Sequence, residues 1–82
     1  MKTADEMFEK LGYKKYYEIK EAEVDEVKIG YKKTLYNGIT ILLDFCGDGT
    51  VGIKNNGDGI YYFNVQELQA INKKAEELGW KK

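Results

Sequence analysis

Apolar positions recur with two different periods along this chain, and the change of period divides it into three. At the start, Ala4, Met7, Phe8 and Leu11 are spaced i, i+3, i+4 and i+7, one stripe of a helix. Thr3 and Glu6 have the spacing of a capping box, in which the hydroxyl takes the Glu6 amide and the carboxylate returns to the Thr3 amide. Gly12 is the stop, because a left-handed C′ residue costs glycine little.

The last third repeats this grammar over a longer helix. Asn64 and Glu67 take the cap and N3 positions, Val65, Leu68, Ile71, Ala75 and Leu78 form the stripe, and Gly79 ends it. With Gly79 at C′, Trp80 is C″ and is expected to fold back on Ala75 at C3. The two ends resemble each other, Glu9-Lys10-Leu11-Gly12-Tyr13-Lys14-Lys15 against Glu76-Glu77-Leu78-Gly79-Trp80-Lys81-Lys82. This reads as one stop chemistry used twice rather than a duplicated unit.

Between the helices the period is two. Val27, Ile29 and Tyr31 alternate with Lys28, Gly30 and Lys32, and Asn37-Gly38 follows as a two-residue hairpin signal of type I′. Ile39 to Phe45 is the next strand, Gly47-Asp48-Gly49 the next turn and Thr50 to Lys54 a third strand. A further Gly57-Asp58-Gly59 turn precedes Ile60 to Phe63, read as a fourth. Tyr16 to Lys20 is a candidate fifth strand against Glu26 to Lys33, with a loop as its alternative.

The expected fold is therefore a single α+β domain over residues 1–82. It has a short N-terminal helix, a four- or five-stranded antiparallel meander and a C-terminal helix, with both helices on one sheet face. Ile39, Ile41, Leu43 and Phe45 share that face, and Val51, Ile53, Val27, Ile29 and Tyr31 join them in register.

Composition removes whole classes of chemistry. The 82 residues include no His, Arg, Ser or Pro and one Cys, and all 13 basic residues are Lys against 14 acids. Ser–His–Asp catalysis, histidine acid–base work and histidine metal sites are excluded, as is an internal disulfide. No cofactor is expected. The start shows no apolar leader, and no apolar run has membrane-spanning length, so the expectation is a cytoplasmic protein without a membrane partner. A net charge of −1 supplies no long-range field for nucleic acid, which makes that partner the lesser alternative. Glu18, Glu21, Glu23, Asp25 and Glu26 read as a solvated acidic loop or edge.

The remaining motifs fail on inspection. Calcium loops begun at Asn56 or Asp44 place Ile60 or Cys46 where an oxygen ligand is required. Gly47-Asp48-Gly49-Thr50-Val51-Gly52 has phosphate-loop spacing, but a strand follows it and Asp48 would repel the phosphate. Cys46 has no histidine to activate it and reads as a structural or partly exposed thiol.

The seven tyrosines carry the functional expectation. A sheet with helices on one face leaves the other uncovered. Leu42, Ile60, Tyr62 and Tyr16 are assigned there, with Lys28, Lys32 and Lys54. Aromatic and aliphatic groups rimmed by lysine suit a protein-binding surface, for a partner protein or a second copy of the chain. The alternative is a Lys/Tyr face that stacks nucleobases.

Two stretches carry a resemblance. Thr3-Ala4-Asp5-Glu6-Met7-Phe8-Glu9-Lys10-Leu11-Gly12-Tyr13, with Glu67 to Lys74 and Glu77-Leu78-Gly79-Trp80, resembles uncharacterised small proteins encoded by phages and prophages of Gram-positive bacteria. The likeness is confined to the terminal helices and carries no site residues with it. It implies a setting: a non-enzymatic accessory protein that binds a host or phage protein, as inhibitors of CRISPR–Cas and other host defences do.

Overall fold

The computed structural model describes residues 2–35, 38–57 and 61–80. Its elements are α1 (Ala4–Lys10), β1 (Lys14–Glu18), β2 (Val27–Thr34), β3 (Thr40–Cys46), β4 (Val51–Asn55) and α2 (Val65–Glu77). The strands form one open antiparallel sheet in the order β1-β2-β3-β4. The α+β meander expected from the sequence is present, with four strands. The chain opens that sheet with the Tyr16 segment, two residues earlier than expected, and not with a strand at its far end. Tyr61–Phe63 is unpaired, because Tyr61 and Phe63 turn onto the core and Asn64 caps α2.

Both helices begin and end with the same devices. Thr3 and Glu6 make a full capping box on α1, and Asn64 and Glu67 make one on α2. At the α1 stop, Gly12 N–H donates to Glu9 C=O at 3.0 Å and Tyr13 N–H to Phe8 C=O at 2.9 Å. At the α2 stop, Gly79 donates to Glu76 at 3.0 Å and Trp80 to Ala75 at 2.9 Å. These are paired Schellman endings, with Gly12 at φ +93° and Gly79 at φ +80°.

The hairpins also share one turn. Leu35 N–H donates to Ile39 C=O at 2.8 Å and Gly38 N–H to Leu35 C=O at 2.9 Å. Cys46 donates to Thr50 at 2.8 Å and Gly49 to Cys46 at 3.1 Å, in the same pattern. Each bond pair runs beside a left-handed glycine, Gly38 or Gly49, and the two-residue turn expected at Asn37-Gly38 falls in part on an undescribed residue. Asn37, like Asp58 and Gly59 of the last turn signal, lies outside the described residues.

The core lies between the helices and one sheet face. Ala4, Phe8 and Ala70 from the helices meet Ile29, Tyr31, Ile41, Leu43 and Phe45, with Tyr13 closing one end. Phe8 stacks on Tyr31 with ring centroids 4.2 Å apart and meets Phe45 edge-on at 6.2 Å. Val51 packs against this cluster, whereas Ile53 on the edge strand is half-exposed. Val27 leaves the set, because a bulge between Val27 and Ile29 pairs it with Cys46.

The α2 stripe is rotated from its expected position. Glu67, Ala70 and Lys74 are buried, while Val65 and Leu68 face solvent. The reason is polar. Glu67 is 1% exposed and accepts both the Tyr13 and Tyr61 hydroxyls at 2.6 Å on one oxygen, while the other caps Asn64 N–H at 3.0 Å. Burial raises the Glu67 carboxyl pKa, but the two hydroxyls, the Asn64 amide and the Lys33 charge outweigh it and hold it below the usual range. Lys74 holds its Nζ over the Tyr31 ring, 6.0 Å from the centroid, and reaches Asp5 and Glu77 at 3.6 Å each. Asp5 also accepts from the Tyr31 hydroxyl and pairs with Lys15 at 3.1 Å, fastening α1 over β1 and β2.

Candidate interaction face of the sheet

Alternation puts the neighbours of the core residues on the opposite face, which neither helix covers. The register assembles that face row by row. Lys14 pairs with Lys32, Lys32 with Leu42, and Leu42 with Lys54, so three lysines and one leucine form a single row across all four strands. Lys14, Lys32 and Lys54 are exposed, and none has an ion-pair or hydrogen-bond partner among the described residues. Leu42 is half-buried at the side of a shallow hollow shared with Thr40, Lys54, Asn55 and Asn56.

The next row is built on glycine. Gly30 pairs with Asp44 on β3, and Asp44 with Gly52 on β4. Between Lys15 and Tyr17 the β1 register shifts, so Tyr16 and Tyr17 together oppose Gly30. The Tyr16 ring crosses the bare backbone of Gly30, and its hydroxyl donates to Asp44 Oδ1 at 2.5 Å. A Cβ on Gly30 would sit 2.5 Å from Tyr16 Cε1, so any side chain there must displace the ring. Burial and the Asp44 carboxylate push the Tyr16 hydroxyl up to about 12. Although anchored, Tyr16 remains 44% exposed, and Tyr17 lies beside it with ring centroids 6.5 Å apart.

Among the described residues, the three lysines of the row therefore adjoin one carboxylate on this face, and Tyr16 already occupies it. The excess acid lies elsewhere, including the β1–β2 loop with Glu21, Glu23, Asp25 and Glu26 exposed. That loop is seated on the β3–β4 turn, where Gly47 N–H donates to Glu26 C=O at 2.9 Å. Gly47 admits no side chain, since a Cβ would stand 2.2 Å from the Glu23 carbonyl oxygen.

Of the residues assigned to the face from sequence, Tyr16, Lys32, Leu42 and Lys54 are brought together on it. Lys28 is on it but turned aside, with its Nζ donating to the Lys20 carbonyl at 2.8 Å. Tyr62 is 79% exposed but belongs to the connection into α2, outside the sheet, because its segment is not a strand. Ile60 lies outside the described residues. Asp44 falls on this face as the alternation through Thr40 and Leu42 requires, whereas sequence reading missed Lys14 and Tyr17. Lys14 stands two residues before Tyr16 and was reachable by extending the alternation, whereas the bulge that brings Tyr17 alongside has no such signal.

Cys46 ends β3 half-buried, its Sγ 3.9 Å from the Asp44 carbonyl oxygen. Among the described residues no three Asp, Glu or Cys side chains are grouped to hold a metal ion, and no helix is long and apolar enough to cross a membrane. No protein-family model, curated protein or solved structure matches this chain.

Proposed function

We propose that this is a non-enzymatic accessory protein that acts by docking another protein on the open face of its sheet. The observation that carries the reading is the row Lys14–Lys32–Leu42–Lys54, three ammonium groups without partners among the described residues, around one half-buried apolar side chain. Such a row suits a partner that presents carboxylates around an apolar group, since complementary charge sets register and speeds encounter. Tyr16, held in place by Asp44, adds contact area at little further cost in side-chain entropy.

The resemblance of the terminal helices supports a phage or prophage setting in a Gram-positive host. There the partner would be a cytoplasmic host factor, for which a component of CRISPR–Cas or another defence is the leading candidate class. The test is capture of partners from such a host with the wild-type chain and with Leu42→Asp and Lys32→Glu. A partner lost with both variants, together with loss of the phage or defence phenotype, is the expected result. Unchanged capture and phenotype would remove the reading.

One observation favours a second reading. Tyr16 and Tyr17 stand side by side next to the lysine row, the combination that binds single-stranded nucleic acid by stacking and charge. That reading predicts a mobility shift with single strands at about 50 mM salt that disappears steeply as salt rises.

A further inference from the structure

The two free edges of the sheet are not alike. β1 is bent by its bulge and carries Tyr16 and Tyr17 at the bend, which disfavours the addition of another strand. β4 pairs with β3 without irregularity from Val51 to Asn55. Its hydrogen-bonding phase follows from the bonds that flank it. Cys46 donates to the Thr50 carbonyl and Asn56 to the Thr40 carbonyl. By the two-residue period Gly52 and Lys54 bond inward to β3, so the N–H and C=O groups of Val51, Ile53 and Asn55 point away from the sheet. No described residue outside the sheet bonds to those groups.

A groove without a charged lining residue runs along α2 on this flank. α2 turns Lys74 and Glu77 toward Asp5 and Ala4 of α1, and α1 is fastened over β1 and β2. Leu68 and Ala75 therefore lie on the side of α2 away from α1, which is the β4 side. The groove there is lined by Val65, Leu68, Gln69, Ile71, Asn72 and Ala75, without a charge in a chain that is 33% charged. Ile53, 50% exposed on the helix-covered face, lies on the same side of the molecule.

We infer that β4 pairs with β4 of a second copy of this chain, antiparallel, about a two-fold axis through Ile53. This is the one antiparallel register that overlaps all five residues of the strand. It sets Ile53 opposite Ile53 of the second copy, Val51 opposite Asn55 and Gly52 opposite Lys54. The outward groups of Val51, Ile53 and Asn55 then meet their counterparts, and no two like charges face each other. A slip that centres the axis on Lys54 would oppose two ammonium groups, which the chosen register avoids. The match is isologous, so it closes at two copies, as a symmetric contact must. A five-residue strand is about 17 Å long. With the helix flank it makes a contact at the small end of specific interfaces, below about 800 Å² per partner, and a concentration-dependent dimer results. The inference is independent of what docks on the open face.

The test is sedimentation velocity on the full chain from about 1 μM to about 1 mM, a range that brackets weak self-association. The wild type is expected to move from a 9.5 kDa monomer to twice that mass. Ile53→Lys places two ammonium groups across the axis, and Ile53→Pro removes an outward donor without removing a bond to β3. Each is expected to weaken the dimer at least about tenfold while far-ultraviolet dichroism stays that of the folded chain. If Ile53→Pro does not fold, Ile53→Lys, at a half-exposed position, decides. Leu42→Asp on the open face is expected to dimerise as the wild type does. A chain that stays monomeric throughout overturns the inference, even if β4 takes up an extended segment of another protein. So does a dimer that Ile53→Lys leaves intact, or one that Leu42→Asp abolishes.

Discussion

The Tyr16 hydroxyl on β1 reaches the Asp44 carboxylate on β3 at 2.5 Å by passing over Gly30 of the strand between them. One hydrogen bond thus ties three strands, and it depends on a glycine having no side chain. Gly30→Ala is expected to displace the ring and destabilise the protein by about 2 kcal/mol, by combining a steric clash with a lost charged hydrogen bond. Tyr16→Phe loses only the bond and is expected to cost about 1–3 kcal/mol. In a Tyr16→Ala background Gly30→Ala has nothing to displace, so its effect shrinks. Urea unfolding of the four variants reads that non-additivity directly.

The two capping boxes make a matched comparison. Glu6 is exposed and serves Thr3 alone, whereas Glu67 is buried and serves Asn64, Tyr13 and Tyr61. Glu6→Gln is expected to cost less than about 1 kcal/mol, as an exposed cap does. Glu67→Gln disturbs three donors, two of them tyrosine hydroxyls packed at the core, and is expected to cost about 3 kcal/mol. Equal losses in urea unfolding would mean that the buried hydroxyls contribute nothing.

The pH dependence has a definite sign at each end. Asp5 and Glu67 both have lowered carboxyl pKa values in the fold. Burial opposes the lowering in each case, and Tyr31, Lys15 and Lys74 overcome it for Asp5 as the tyrosines do for Glu67. Their contribution is present above the ordinary carboxylate range and is lost as pH falls through the depressed values. Tyr13, Tyr16 and Tyr31 have raised values, because burial and a carboxylate acceptor disfavour the phenolate. Their contribution is complete below about pH 10 and declines as pH rises toward the folded value, which for Tyr16 is about 12. With no histidine in the chain, melting temperature is expected to be flat from about pH 5 to about pH 8. Thermal melts across pH, with absorbance at the phenolate band, check both limbs.

The lysine row separates binding from stability. Lys14→Gln, Lys32→Gln and Lys54→Gln together remove three exposed charges that have no ion-pair or hydrogen-bond partner among the described residues. Stability is expected to change by less than about 0.5 kcal/mol per site, as for ordinary surface positions. Capture of the partner is expected to weaken and to lose its salt dependence. A large fall in melting temperature would instead assign the row a structural role.

The helix ends and the turn glycines were legible because each is a local rule: a capping residue, a carboxylate three positions later, a glycine where φ must be positive. The sheet face was legible from Ile41, Leu43 and Phe45, whose alternation has one reading. Local rules failed where a distant group intervened. Val65 and Leu68 match a helical stripe better than Glu67 and Lys74 do. The polar pair is nevertheless buried, because Tyr13, Tyr61 and Asp5 satisfy it from elsewhere in the chain. Tyr62 was misplaced for a similar reason: an aromatic-rich segment has strand composition, but its neighbours are committed to seating α2. Bulges at Tyr16–Tyr17 and Val27–Ile29 have no sequence mark, yet they decide which side chains reach the open face.

Glu67 also bears on how the chain acquires its shape during synthesis. The acceptor for the Tyr13 hydroxyl lies 54 residues downstream. Until that stretch has been synthesised, the Tyr13 hydroxyl has no carboxylate to meet, although β1 can already pair with β2. The β2–β3 and β3–β4 hairpins, by contrast, join neighbours in sequence over short loops, so their contacts do not depend on α2. The helical layer has to wait for the final third of the polypeptide, because Glu67, Lys74 and Glu77 hold Tyr13, Asp5 and Ala4 of the first.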